Sequence, residues 1–256
     1  MPSVPHRPFP SLRVLVTALW ALGLTAHCGD DTTGRSPVAF PVFAQGVRPE
    51  ATTALGWSVR IDTARLRLGA LRWFEGPPVA RLSPWERCLG VGLAYAHPGH
   101  YVPGEALADI TTPVVIDLTR TTPNALGTAR GVSGDSRSAR IELRPSPVDP
   151  ALPGATLSLT GTATRAAQTV RFAATYPLVL DIPGVPAPGA LDPQGTPWTL
   201  QVDLVALVDR VDFAALPPAS PSDDPVVFPA DSQSANALAR ALRASATYRV
   251  LRSDTP

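Results

Sequence analysis

Alternation of apolar and polar residues is the feature that most restricts the fold of this chain. Side chains of a β-strand point alternately to opposite faces, so strict alternation is typical of half-buried strands. The 30 Pro residues favour short elements joined by loops. The alternating runs therefore predict a mainly β fold, an antiparallel β-sandwich. These runs are Trp57–Ile61, Ala64–Leu68, Val114–Leu118, Ala139–Leu143, Leu157–Ala163, Val170–Tyr176 and Trp198–Leu204.

Details of the alternation locate a bulge and a hairpin. The apolar phase slips by one residue near Asp62 and Thr63, which predicts a β-bulge or a tight turn. The runs Ala155–Ala163 and Thr169–Tyr176 are close in sequence, so we expect them to form a hairpin across Arg165–Gln168. Trp57, Trp73 and Trp198 lie on apolar faces and are expected in the core.

The C-terminal region predicts one short helix. Asp231 is suited to cap a helix from Ser232 to about Ala244, with Leu238 and Leu242 one turn apart on its inner face. Upstream, residues 204–216 fit both a strand and a helix. Residues 77–113 and 217–230 do not alternate; the first includes a short helix at 84–89, and the second is interpreted as a loop.

The N-terminus has the pattern of an export signal. Residues 1–13 are basic and contain no acid, and Val14–Ala26 is uncharged. That run is shorter than the roughly 20 residues of a membrane-spanning helix and suits a signal peptide. The alternative is a buried helix. We expect a signal peptide over 1–27, a polar tether over 28–37 and a single β-rich domain over 38–256.

Cys28 follows the apolar run directly, as the lipidated cysteine does in a bacterial lipobox. His27 stands where a small residue is usual, so ordinary cleavage after Ala26 is the alternative. The only other cysteine is Cys88. It is an unpaired thiol if Cys28 is lipidated, and otherwise the two cysteines can form a disulfide. We expect a lipid-anchored protein of the bacterial cell envelope, in the periplasm or at the outer membrane.

The main chemical motif is a His-Pro-Gly-His sequence. His97 and His100 are the only histidines after the signal segment, and they flank Pro98-Gly99. Pro followed by Gly is typical of a type II turn, which places the two histidines within about 7 Å of each other. Neutral imidazole suits copper, zinc, iron or nickel. The motif therefore predicts a transition-metal site, although an exposed turn without metal is the alternative.

Further ligands for such a site are sparse in the sequence. A structural zinc site needs four ligands and a catalytic one about three. Glu105 and Asp109 follow the turn closely, and Cys88 precedes it. With so few donors, the two imidazoles must supply most of the affinity.

Other classes of function have weaker support. The net charge of +1 argues against a nucleic-acid-binding face. The segment Gly131–Asp135 lacks the G-x-S-x-G spacing of a nucleophile elbow, and no histidine follows it. Asp203, Asp209 and Asp212 offer a carboxylate pair, but solvated acids at a strand end are the simpler interpretation. Enzyme activity is accordingly not expected.

Four segments resemble the MbnP-type family of bacterial periplasmic copper-binding proteins. They are GWSVRIDTARLRLGALRWFEG, AYAHPGHYVPGEAL, GTARGVSGDSRSARIEL and WTLQVDLVALVDRVDF. The resemblance implies an exported β-rich protein with histidine copper ligands, sometimes an oxidised tryptophan, and often a dihaem cytochrome of the MauG type as partner. Only His97 and His100 match as ligands. Trp73 and Trp85 are the tryptophans nearest to them in sequence.

These observations favour a copper-binding envelope protein, with a non-enzymatic structural or interaction module as the alternative.

We predict that Cys28 carries the lipid anchor. Palmitate labelling should mark the wild-type protein and not Cys28→Ala, because the thiol is the acylated group. Absence of label from both proteins, together with a Cys28–Cys88 disulfide in mass spectrometry, would contradict this prediction.

Overall fold

The strand β3 (Ser58–Phe74) organises the fold because five other strands pair with it. The computed structural model describes residues 34–78, 104–216 and 224–253. Along one edge of β3, two strands lie end to end: β8 (Leu157–Arg165) and β7 (Gly134–Leu143). Three short strands occupy the other edge, namely β2 (Glu50–Thr52), β5 (Val114–Asp117) and β4 (Ala106–Ile110).

The other described elements complete a sheet of 13 strands with two short α-helices. The remaining strands are β1 (Pro37–Val47), β6 (Asn124–Val132), β9 (Gln168–Tyr176), β10 (Leu180–Leu191), β11 (Trp198–Asp203), β12 (Val226–Val227) and β13 (Tyr248–Arg252). The helices are α1 (Leu204–Val208) and α2 (Gln233–Arg243), with 3-10 turns at Phe213–Ala215 and Ser245–Thr247. These elements belong to the unit Ser36–Pro256.

The sheet folds over on itself to enclose the core. Its main order is β12-β9-β8-β3-β4-β6-β1-β11-β13. In a flat sheet β3 and β11 would be about 19 Å apart, yet the rings of Trp73 and Trp198 have centroids 6.1 Å apart. Phe40 on β1 lies 5.2 Å from Trp73. Where the ends of the sheet meet, Arg252 on β13 donates a 3.0 Å hydrogen bond to Ala190 O on β10.

This architecture confirms the prediction of a mainly β fold of the sandwich type with a short C-terminal helix. Most pairings are antiparallel, but β1 pairs with β11, and β12 with β9, in parallel. The layers belong to one continuous sheet.

The predicted bulge and hairpin are confirmed. Ile61 lies opposite Gly161 and Thr63 opposite Thr160, so Asp62 is the extra residue of β3. β8 and β9 form a hairpin in which Arg165 lies opposite Gln168.

The prediction of a C-terminal helix is confirmed with one correction. Leu238 and Leu242 of α2 are fully buried. The cap is Ser232, not Asp231, because the Ser232 hydroxyl accepts a 3.1 Å hydrogen bond from Ala235 N. The ambiguous segment 204–216 begins with the short helix α1, which the Asp203 carboxylate caps, and continues to the 3-10 turn Phe213–Ala215.

Several strands were not predicted from the sequence. The strand β10 contains three prolines, which lack the N–H that strand pairing uses. It can still be a strand because it pairs with β7 alone, and the register of that pairing shifts twice. β4 falls in the segment 77–113, and β12 falls in the expected loop 217–230. The predicted helix at 84–89 lies outside the described residues. Within the described ranges, no helix is long and apolar enough to cross a membrane.

The contact between β4 and β6 yields a test of the fold. A Cβ added at Gly131 would overlap the backbone of Leu107 and Ala108. We therefore predict that Gly131→Ala lowers the free energy of unfolding by more than about 2 kcal/mol, as measured by chemical denaturation.

The matched control is Thr128→Ala, an exposed position on the same strand. It should change the stability by less than about 0.5 kcal/mol. Equal effects of the two substitutions would show that β4 does not approach Gly131 this closely.

Candidate functional site

The two predicted metal ligands lie between the end of β3 and the start of β4. His97 and His100 themselves fall outside the described residues, as do Cys88, Trp85 and the lipidation candidate Cys28. The structure describes the two stems of this connection, residues 75–78 and 104–105. These stems form the base of the candidate site.

The base is held closed by short contacts. Glu75 N donates a hydrogen bond of 3.2 Å to Glu105 O, which joins the two stems directly. The buried hydroxyl of Ser138 donates one of 2.7 Å to Gly76 O. Gly104 has a φ of +71°, and a Cβ there would lie 2.9 Å from Gly76 N. Only glycine fits this close approach without strain.

Large aromatic side chains pack below the base. Trp73, the residue before the last of β3, is fully buried between Phe40 and Trp198. This confirms the core assignment of Trp73 and Trp198, and Trp57 is fully buried as well. Phe74 packs under the guanidinium of Arg140, which lies 5.8 Å from the ring centroid. The end of β3 therefore presents a rigid platform to the connection.

A row of charges crosses β4, β3 and β7 beside this platform. Arg72 pairs with Glu142, and its Nε lies 4.0 Å from an oxygen of Asp109. The second oxygen of Glu142 lies 3.4 Å from Arg144. Burial raises the pKa of the Glu142 carboxyl, but the hydrogen bonds and charges of Arg72 and Arg144 outweigh it. The pKa of Glu142 therefore lies below its ordinary value.

Asp109 lies at ion-pair distance from Arg72. Its carboxylate is half exposed and faces Arg72, so a metal ion beside it would meet a positive charge. Of the two acidic residues predicted to complete the site, Glu105 is the one in the stem itself.

The three aspartates near β11 have structural roles. Asp203 caps α1 through a 3.0 Å bond from Ala206 N, and Asp212 accepts one of 3.1 Å from Ala214 N. Asp209 accepts a 2.8 Å hydrogen bond from Ala54 N. The interpretation of these acids as an acid–base pair finds no support in this geometry, because each of them binds a backbone N–H.

The described residues do not themselves form a metal site. Among them there is no group of three or more His, Cys, Asp or Glu side chains that could hold an ion.

Comparison with known proteins gives one weak structural similarity. No family model and no curated protein matches the sequence. Among solved structures, the chain is similar to MbnP from Methylosinus trichosporium, with 12% identity, a TM-score of 0.40, and coverage of 84% of this chain and 98% of that chain. This likeness concerns the general fold and assigns neither a ligand nor a residue role.

The charge row beside the base predicts a pH-dependent stability. The folded state lowers the pKa of Glu142 below its ordinary value of 4.5. Its stabilising effect is therefore complete above that value and is lost as the pH falls through the folded pKa. Glu142→Gln should be about 1 kcal/mol less stable than wild type at neutral pH. That difference should shrink below about pH 4.5.

Denaturant unfolding between pH 3 and pH 7 measures the difference. Glu50→Gln serves as the control, since Glu50 is exposed on β2 and lies outside the charge row. If the loss of unfolding free energy in Glu142→Gln stays constant down to pH 3, the lowered pKa assigned to Glu142 is wrong.

Proposed function

We propose that this protein is exported, anchored to the bacterial envelope through a lipid on Cys28, and binds a transition metal, copper, through His97 and His100. The observation that carries the proposal is the sequence His97-Pro98-Gly99-His100, which holds all the histidines present after the signal segment. A turn of this type brings two imidazoles close together with little ordering cost.

The scaffold supports the proposal through the way it holds the connection. The two stems are joined by the hydrogen bond from Glu75 N to Glu105 O, and Ser138 fixes Gly76. The segment that carries the histidines therefore starts and ends at one place. Closing a segment at its base lowers the entropy that binding must overcome.

The available donors favour copper over zinc. Imidazole nitrogen suits both metals, but zinc sites need three or four protein ligands. Two imidazoles are the predicted set here, and the described residues add no cluster of three donors. Asp109 faces Arg72, and Glu105 is the other acidic residue that closely follows the histidines in the sequence.

The alternative is a non-enzymatic envelope module that binds another protein and no metal. A dihaem cytochrome of the MauG type is the partner implied by the sequence resemblance, and it remains a prediction. Pull-down of this cytochrome class by metal-loaded and metal-free protein distinguishes partner binding that needs the metal from binding that does not.

We predict that both imidazoles are needed for tight binding. Titration with Cu(I), Cu(II) and Zn(II) should give the highest affinity for copper, and His97→Ala or His100→Ala should each lower it by at least about tenfold. Affinity should also fall as the pH drops through about 6.5, because imidazole must be neutral to bind.

The control variant is Asp109→Asn, which should leave the affinity unchanged because Asp109 faces Arg72. Glu105→Gln tests whether a carboxylate of the stem completes the coordination. If the double histidine variant binds as tightly as wild type, or wild type binds nothing below the millimolar range, the motif is a turn without a metal.

A further inference from the structure

A groove of about 790 Å³ lies at the end of the sheet where β1 and β11 finish together. The parallel register places Val47 opposite Asp203, so the chain leaves β1 at Arg48 beside the start of α1. Helix α2 lines the groove as well. Its volume is in the range of pockets that bind small molecules.

The groove is built from side chains that are fixed before any ligand arrives. The Gln233 amide oxygen accepts a 3.1 Å bond from Asp212 N, and its amide nitrogen donates one of 2.9 Å to Arg210 O. This bridge ties α2 to the loop that follows α1. Thr247 donates a 2.7 Å bond to Ala241 O and closes the other end of α2.

Both carboxylates that line the groove are already neutralised. Asp203 pairs with Arg48 through one oxygen and caps α1 with the other. Asp209 lies 3.4 Å from Nε of Arg210 through one oxygen and binds Ala54 N through the other. Two of the three arginines in the groove thus have acidic partners.

Arg240 is the arginine without such a partner. It lies in the last turn of α2, it is exposed, and no carboxylate of the described chain pairs with it. The groove therefore carries one surplus positive charge. Beside this charge the lining includes the half-buried alanines Ala206, Ala241 and Ala244, next to polar side chains such as Asn236 and Thr52.

We propose that this groove binds a small organic molecule that carries one carboxylate on an apolar body. The guanidinium of Arg240 forms a two-bond pair with the carboxylate, the geometry that arginine favours. The apolar body covers the half-buried Ala241 and Ala244 at the C-terminal end of α2 and leaves water. The site is independent of the histidine motif.

Hexanoate and its neutral analogue hexanamide are the probes, titrated by NMR into the purified full chain. Hexanoate should bind with a Kd of about 1 mM or below. It should shift the amide signals of Asn236, Ala237 and Ala241, and hexanamide should bind at least about tenfold more weakly.

Two substitutions on α2 distinguish the role of the Arg240 charge from the general effect of removing an arginine from this helix. Arg240→Gln should weaken hexanoate binding by about tenfold, the loss of one charge-assisted pair. Arg243→Gln should not change it, since Arg243 is exposed on the same helix but lies outside the groove and donates to Ala239 O. Equal binding of hexanoate and hexanamide, an equal loss in both variants, or no binding of hexanoate would overturn the proposal.

Discussion

The fold depends on the packing of Trp73 against Phe40 and Trp198. Phe40 and Trp198 lie on the paired strands β1 and β11, whereas Trp73 lies on β3, three and four places away in the order of the sheet. The three rings nevertheless lie within 6.3 Å of one another. Burial of large aromatic rings is among the strongest sources of stability that a core of this size has. The contact forces the sheet to fold over, and it fixes the end of β3 from which the histidine segment departs.

Much of this architecture follows from local patterns in the sequence. The phase slip at Asp62 predicts the bulge because the side-chain period of a strand is two residues, and any insertion moves the apolar set to the other face. The hairpin across Arg165–Gln168 follows because two alternating runs are separated by only a few residues. Leu238 and Leu242 mark the buried face of α2 by their helical spacing.

Other elements could not be predicted because tertiary contacts decide them. The strand β10 has no alternating pattern that predicts it and contains three prolines, and it is a strand because β7 offers backbone partners along one side. β4 is short and is defined by the close approach of Gly131, which no local pattern reveals. The roles of Asp203, Asp209 and Asp212 as backbone acceptors likewise depend on the fold.

The candidate site shows the same division. The sequence predicts the imidazole pair, because the spacing of His97 and His100 around Pro-Gly is local. The sequence could not predict that Arg72 makes Asp109 a poor ligand, since that pair joins neighbouring strands. Nor could it predict the groove at α2, where Arg240 stands out because Asp203 and Asp209 neutralise the other two arginines.

The number of imidazoles on a bound copper ion tests the central claim most directly. Electron spin-echo spectroscopy of the Cu(II)-loaded protein, with its histidines labelled with a nitrogen isotope, counts the imidazoles bound to copper. If His97 and His100 bind copper together, the wild type should show two imidazoles and either single histidine variant should show one. A count of none or one in the wild type, or the same count in the wild type and the variants, would contradict that claim.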